Sequence, residues 1–546
     1  MPAPGTVAVL GGGIAGLTAA HELAERGFDV DVYEAGERVG GKARSIPVGD
    51  APGDADTDGL LGEHGFRFFP AYYRNVVDTL ERIPDVDGRV ADHLVATSET
   101  LVAGADGTAV RASTEQPETP REWLRALRPQ VAGDQVPRRE IAHFTSRLAV
   151  LLTSCQARRR EEFERQSWWE FIDADAMSPA YRKHLARSTQ SLVALRPEAG
   201  SARTVGTIYL QLLFGQFDPD TPAERVLDGP TSEVWFDPWV AYLRELGVRV
   251  HLEADVEAIE SDGRRVTGVV VDGDRVTADH YVAALPVGVL ADLATSDLRR
   301  AAPTLARVDR IDTAWMNGVQ FFLDRDAPVV EGHAVYVDSP WALTSISQRQ
   351  FWAAHDPAAR TGGDVEGVLS VIASDWETPG VLYGKPAREC TREEVVEEVW
   401  AQLQAHLGED ALPDDARVGH FLDPAIRETG DGLANDSPLV VNTVDSLRNR
   451  PEADTEAPNL AVAGDYVRVD TDLATMEAAS EAGRRAANAV LDASPGRHTR
   501  AEVWGLEEPR VFDPLKRQDA LRYRLGLPHP GELGQDAWGV LRALRP

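Results

Sequence analysis

The stretch VAVLGGGIAGLTAAHELAERGFDVDVYEAGERVGGKA, residues 7–43, constrains the fold more than any other part of the chain. Residues 7–10 read as a short apolar strand, residues 11–16 as a glycine turn, and residues 17–26 as a helix with Leu17, Ala20, Leu23 and Ala24 on one face. Gly27 ends that helix, and the alternation of Val30 with Val32 marks a second strand over residues 29–33. Gly11, Gly13 and Gly16 have G-x-G-x-x-G spacing, and they sit where that spacing carries meaning, directly after a strand and at the opening of a helix. Gly11 permits the tight turn, Gly13 lets backbone approach a pyrophosphate, and Gly16 lets the helix pack closely on the strand. The pyrophosphate then faces the helix N-terminus, whose free N–H groups and dipole favour an anion. Glu34 closes the second strand about 20 residues after the first glycine, where its carboxylate can accept hydrogen bonds from both ribose hydroxyls. With the flanking Ile14, Ala15 and Ala35, these residues are the candidates for the ADP half of a dinucleotide.

A chain of 546 residues exceeds one ordinary hydrophobic core, so two or three domains are expected. Its 43% apolar and 26% charged residues are those of a soluble globular protein, and no run approaches the roughly 18–20 apolar residues that span a bilayer. Residues 1–6 carry no basic or apolar region of an export signal, which points to the cytoplasm. Cys155 and Cys390 lie far apart and form neither a redox pair nor a metal-ligand cluster, which fits a reducing compartment. The net charge of −32 argues against a nucleic-acid partner and against attraction to anionic lipid headgroups. Lysine occurs only at Lys42, Lys183, Lys385 and Lys516. An acidic, lysine-poor surface suits a salt-rich cytoplasm, and a GC-rich genome replaces lysine with arginine in the same way.

Further along, residues 51–59 are rich in Asp, Gly and Pro and read as a loop. The pattern over residues 119–217 is helical, most clearly at 144–168 and 204–214. Strand signals return at residues 248–252, 256–261, 265–271 and 281–284, with a DGDR turn at 272–275, and a small mixed or antiparallel sheet is expected there. Residues 311–417 mix strand-like runs, such as 318–323 and 367–372, with a helix near 393–407, so a second sheet is expected. Residues 459–463 read as a strand and about 475–491 as a helix, followed by a tail over 494–546. No repeat of 20–50 residues is present.

After Glu34 come Arg38, Gly40, Gly41, Lys42, Ala43 and Arg44, and YEAGERVGGKA resembles the extended dinucleotide signature of the FAD-dependent amine oxidase and carotenoid desaturase superfamily. The resemblance places the glycine pair and the following basic residue along the FAD pyrophosphate. NLAVAGDYVRVDTDLATMEAASEAGRRAANAVL, residues 459–491, is similar to the C-terminal flavin motif of the same superfamily. By that resemblance Gly464 and Asp465 meet the pyrophosphate and ribityl chain, and Thr475 and Met476 bring a helix N-terminus to the flavin N1 and C2 oxygen. Negative charge grows at that edge on reduction, and a helix N-terminus stabilises it without reorganisation. GEHGFRFFPAYYRNVVDTLERI, residues 62–83, is similar to the phytoene and zeta-carotene desaturase segment, with Gly65, Phe69, Tyr73 and Asn75 in matching positions. Residues 228–260 and 278–293 resemble the middle region of the desaturases and of hydroxysqualene dehydroxylase, in which Val256 would hold the adenine through its backbone.

The fold implied is α/β: a Rossmann-like FAD-binding domain of the glutathione-reductase type, with an inserted α+β substrate domain. Residues 1–100, 225–295 and 455–493 would form the discontinuous FAD-binding domain, 101–224 and 296–454 the substrate domain, and 494–546 a tail. The chemistry implied is dehydrogenation of an apolar, carotenoid-like isoprenoid by hydride transfer to flavin N5 of non-covalent FAD, with oxygen or a quinone as electron acceptor. Hydroxysqualene-type dehydroxylation and amine oxidation are alternatives, and a non-catalytic prenyl- or lipid-binding protein on the same fold is a third.

Glu63, His64, Arg67 and Tyr73 form a polar cluster beside a flavin-type motif. His64, Arg67 and Tyr73 are therefore the catalytic candidates for orientation, acid–base work or steering of charge. His64 has a structural alternative, capping a loop, and Arg67 another, binding a cofactor phosphate. The desaturases usually carry His where this chain has Arg67, and the paired C-terminal aromatics of many amine oxidases are missing. Trp168, Trp169, Trp235, Phe236 and Trp239 could line an apolar tunnel, but aromatics at such spacing more often form core. Residues 148–152 and 208–214 could dip into a membrane surface in a peripheral contact, but the acidic charge favours the core reading. No metal site is expected.

Overall fold

The computed structural model describes residues 5–49, 59–114, 135–216, 218, 220–352 and 354–532. Most of the loop at 51–59, residues 119–134 of the helical region and the tail beyond 532 lie outside the described residues.

The first strand, Thr6–Leu10, is buried on both faces from Val7 onward and becomes the centre of a parallel sheet. The strand order is Arg249–His251, Asp29–Tyr33, Thr6–Leu10, His280–Ala283, Leu460–Val462, every pair parallel. Thus the runs at 248–252 and 281–284 do not join the runs at 256–261 and 265–271 in the one small mixed or antiparallel sheet expected from the sequence. A strand buried on both faces reads as a continuous apolar run, and nothing in that pattern names its neighbour. The antiparallel sheet that does form has three strands, Val256–Ser261, Val266–Val271 and Asp274–Val276. Its second hairpin turns through Asp272 and Gly273, both at positive φ (48° and 80°), as a two-residue hairpin requires.

Two helices cover the parallel sheet, Ile14–Ala24 and Met476–Ala493, drawn from opposite ends of the sequence. They pack so closely that a Cβ at Gly483 would fall on the Ala15 carbonyl oxygen. A Cβ at Gly16 would likewise fall on the Gly11 carbonyl oxygen, so Gly16 serves the approach of helix to turn.

The second sheet has seven strands, in the order Ala109–Ser113, Glu99–Ala103, Gly332–Tyr336, Thr344–Ser347, Gly367–Ala373, Asn317–Leu323, Arg417–Leu422. Only the pair Glu99–Ala103 with Gly332–Tyr336 is parallel. Helix Arg392–Leu407 packs against this sheet, its start fixed by a capping box in which Thr391 Oγ1 accepts the Glu394 N–H.

The long helical run expected at 144–168 breaks at Ser154 and Cys155 into Arg138–Thr153 and Gln156–Glu161. With Ala202–Gly215 these helices enclose a core that takes in Val150, Leu151, Leu152, Ile208 and Leu210. Of the two apolar runs considered for a membrane surface, Val150, Leu151, Leu152, Ile208 and Leu210 are therefore packed inside the protein, while Leu148, Leu212, Leu213 and Phe214 are half-buried. Beyond residue 493 the chain crosses back over the molecule, and Asp519 of helix Asp513–Arg524 accepts the Cys155 N–H (2.9 Å) and Arg158 Nε (3.1 Å). Among the described residues no helix is long and apolar enough to cross a membrane, and no group of three or more His, Cys, Asp or Glu residues could hold a metal ion.

Candidate active site

A cavity of about 490 Å³ lies where the C-terminal ends of the parallel strands meet the seven-stranded sheet. This is the end of an open parallel sheet at which ligands bind. Gly11, Gly13, Ile14, Ala15, Glu34, Ala35, Gly40, Gly41, Lys42, Ala43, Val256, Gly464, Asp465, Thr475 and Met476 all line it, although they come from opposite ends of the chain. Gly13 starts helix Ile14–Ala24 with no side-chain cap, which leaves first-turn N–H groups available to an anion. The Glu34 carboxylate accepts the Gly12 N–H (2.8 Å) and the Gly36 N–H (2.9 Å), so it shapes the glycine turn as well as facing the cavity. Thr475 Oγ1 accepts the Ala478 N–H at 3.1 Å, and Met476 brings this second helix N-terminus to the same cavity. An uncapped N-terminus for pyrophosphate, a carboxylate for ribose and a second N-terminus for a ring that gains negative charge form a donor set that suits FAD.

Two basic residues depart from expectation. Arg38 is exposed and does not line the cavity, because the chain turns outward at Glu37 and Arg38 before Gly40 returns to the site. Lys42 lines the cavity but donates its Nζ proton to the Pro438 carbonyl. Arg44 does face inward, donating to the Gly41 carbonyl at 3.0 Å, and supplies a cation beside the glycine pair.

At the other end of the cavity the sequence candidates come together. His64, Arg67 and Tyr73 line it. Glu63 stands behind them, where its Oε1 accepts the Thr231 N–H (2.8 Å) and the Ser45 hydroxyl (3.1 Å). Arg67 is half-buried, donates to the Lys42 carbonyl at 3.3 Å, and places Nε 3.7 Å from Glu63 Oε2. Tyr73 is buried against Phe69 and Tyr72, and burial together with the nearby Glu477 carboxylate raises its pKa, so it stays a neutral phenol.

His64 has a partner that local pattern did not reveal. Its Nδ1 is hydrogen-bonded to Asp423 Oδ2, and that carboxylate also accepts Asn317 Nδ2 at 2.7 Å and the Ala425 N–H at 2.9 Å. Burial alone would raise the Asp423 pKa, but the bond and charge of His64 and these donors outweigh it and hold the carboxyl at about 2. An ionised Asp423 assigns the proton to His64 Nδ1 and leaves Nε2 as the acceptor in the neutral ring. Asp423 follows strand Arg417–Leu422, some hundreds of residues from His64, and only the sheet brings them together.

Much of the remaining wall is apolar, with Phe66, Phe68, Met316, Ile372 and Leu439 among its residues, interrupted by Ser191, His333, Thr344 and Ser437. The five aromatics considered for a tunnel do not line this cavity. Trp235, Phe236 and Trp239 stack in the core beneath the parallel sheet, and Trp168 is buried among the helices.

Comparison with known proteins agrees with this architecture. The model of the flavin containing amine oxidoreductase family matches residues 14–491. Zeta-carotene desaturase of Synechocystis sp. is 25% identical over 516 residues, covering 89% of this chain and 97% of its own. Carotenoid phi-ring synthase of Streptomyces griseus is 27% identical over 505 residues, covering 89% and 87%. Among solved structures, wild-type putrescine oxidase bound to putrescine superposes with a TM-score of 0.60 at 15% identity, over 88% of this chain and 98% of that one. The family match over residues 14–491, with the uncapped glycine turn just before it and the helix Met476–Ala493 at its end, places the chain in the flavin containing amine oxidoreductase family, as an FAD-dependent oxidoreductase.

Proposed function

We propose that the protein dehydrogenates an apolar, carotenoid-like isoprenoid, introducing a double bond. The observation that carries this reading is the cavity itself, which joins both flavin-type motifs to an apolar wall beside the His64–Asp423 pair. FAD held at the glycine end supplies the hydride acceptor. The apolar wall orients the chain and excludes water, and His64 Nε2 accepts the proton lost from the carbon next to the one that gives up hydride. Asp423 positions that imidazole. Arg67 and Tyr73 border the same space, where a fixed cation and a neutral hydroxyl steer developing charge. The final electron acceptor would be oxygen or a quinone. On this reading the segments around the parallel sheet form the FAD-binding domain, and the seven-stranded sheet with the helices forms the substrate domain.

The deciding experiment is anaerobic addition of zeta-carotene, phytoene, hydroxysqualene and amines to the flavin-loaded protein in turn. Bleaching by a carotene is the expected result. Bleaching by amines alone would overturn the reading.

An apolar substrate is collected most directly from a membrane surface, and residues 510–527 suit that contact. Val511, Leu515, Leu521, Leu525 and Leu527 are all exposed there. The same stretch carries Arg510, Lys516, Arg517, Arg522 and Arg524 against Asp513 and Asp519, in a chain of net charge −32. Asp519 is buried against Arg158, so the outward charge is basic, which complements an anionic lipid surface. The protein is expected to float with phosphatidylglycerol vesicles and not with phosphatidylcholine vesicles, and L521E/L525E to lose at least tenfold of that binding while keeping its flavin. Equal flotation of variant and wild type would remove this surface from the proposal.

A further inference from the structure

His333 lies on strand Gly332–Tyr336 of the seven-stranded sheet and lines the cavity among its apolar residues. The residue is 3% exposed. The rings of Phe66 and Phe68 each lie 5.3 Å from its imidazole, Phe66 edge-on. Its Nε2 is buried with no hydrogen-bond partner among the described residues. No carboxylate stands behind it as Asp423 stands behind His64, and burial lowers its pKa to about 4, so the ring is neutral at physiological pH. A neutral imidazole has one donor and one acceptor, and sealing either beneath a hydrocarbon is unfavourable.

A chain that is apolar throughout satisfies Phe66, Phe68 and Ile372 but leaves this imidazole unpaired. A chain carrying one neutral oxygen satisfies both. We propose that His333 is a hydrogen-bonding subsite for a single hydroxyl or carbonyl oxygen on an otherwise apolar isoprenoid. It is then a specificity-determining residue that favours oxygenated over purely hydrocarbon chains. The inference rests on the reading of this cavity as an isoprenoid site. Neutrality of the ring matters for the class of ligand: it offers a hydroxyl or carbonyl a neutral partner and gives a carboxylate no charge to pair with. Selection of this kind is asymmetric, because the penalty falls on the ligand that leaves a buried polar group unmatched.

The test is titration of the flavin-loaded protein with phytol and with phytene, which differ only by the hydroxyl, read by perturbation of the flavin absorbance. Phytol is expected to bind at least about fivefold more tightly, the discrimination that one buried hydrogen bond supplies. His333→Leu is expected to bring the two affinities together, and His333→Gln, which keeps a polar group near the Nε2 position, to retain part of the preference. Equal affinities in the wild type would overturn the subsite and leave the isoprenoid reading standing. A preference that survives in His333→Leu would do the same. If neither compound perturbs the flavin, the isoprenoid reading itself is overturned, and the subsite with it. Should His333→Leu fail to fold, the wild-type ratio and His333→Gln still decide the matter.

Discussion

Glu34→Ala is expected to leave the protein folded and almost free of FAD. The carboxylate accepts the Gly12 and Gly36 N–H groups at 2.8 and 2.9 Å and lines the cavity beside Gly11 and Gly13. Hydrogen bonds to a charged acceptor contribute about 1.5–3 kcal/mol each, so losing the two that the ribose hydroxyls would donate weakens retention of the cofactor by at least about 100-fold. A further part of the loss comes from the turn, whose N–H groups no longer point where the pyrophosphate needs them. Glu34→Gln separates the two. Its amide oxygen can accept one of the two backbone N–H groups, but its NH₂ faces the other donor, so it should retain only a minor fraction of the flavin. The measurement is flavin absorbance per chain after purification, with the thermal midpoint compared against wild-type protein stripped of flavin. Wild-type flavin content in Glu34→Ala would show that neither the turn nor the ribose depends on this side chain.

The local part of this site is legible in the sequence. Gly11, Gly13, Gly16 and Glu34 occupy one β-α-β unit in which spacing and element order are nearly the same information, and the structure places them as the spacing demands. Thr475 and Met476 are legible for another reason: a strand, a Gly-Asp pair and an N-capped helix keep a recognisable order even when their partner lies hundreds of residues away. What single-strand patterns do not contain is pairing. His280–Ala283 is buried at every position, and that burial is equally compatible with the mixed or antiparallel sheet expected and the parallel one observed. Asp423 and His333 were hidden for the same reason. Each belongs to or follows a strand of the second sheet, and His333 comes to the cavity, and Asp423 to His64, through neighbours chosen by register rather than by sequence distance. Arg38 was misplaced by the opposite error. It stands in the right stretch, but the backbone between Glu34 and Gly40 turns it to solvent, and Arg44 takes the inward position.

Asp423→Ala is expected to lower turnover by about 10²- to 10⁴-fold, the range contributed by a positioned acid–base group, with flavin content unchanged. Asp423 has no place at the cavity wall, so its effect on the reaction runs through His64. Its side chain is 2% exposed, and it is fixed by Asn317 and the Ala425 N–H, so the imidazole it holds has little freedom to rotate. Asp423→Asn is the sharper variant because it keeps the shape. The asparagine cannot accept from all three donors of the site: with its NH₂ toward His64 it favours the tautomer with the proton on Nε2 and removes the acceptor from the cavity, and with its oxygen there it sets the NH₂ against the Ala425 N–H and removes the charge that fixes the ring. Turnover should therefore fall nearly as far in Asp423→Asn as in Asp423→Ala, while KM and the affinity for substrate, read from the flavin spectrum, stay close to wild type. A residue that merely braced the sheet would act differently: the isosteric variant would be nearly silent, and the truncated one would lose stability and KM together. Near wild-type turnover in Asp423→Asn would mean that the His64 tautomer is not what removes the proton, and would move that role to Tyr73 or to solvent.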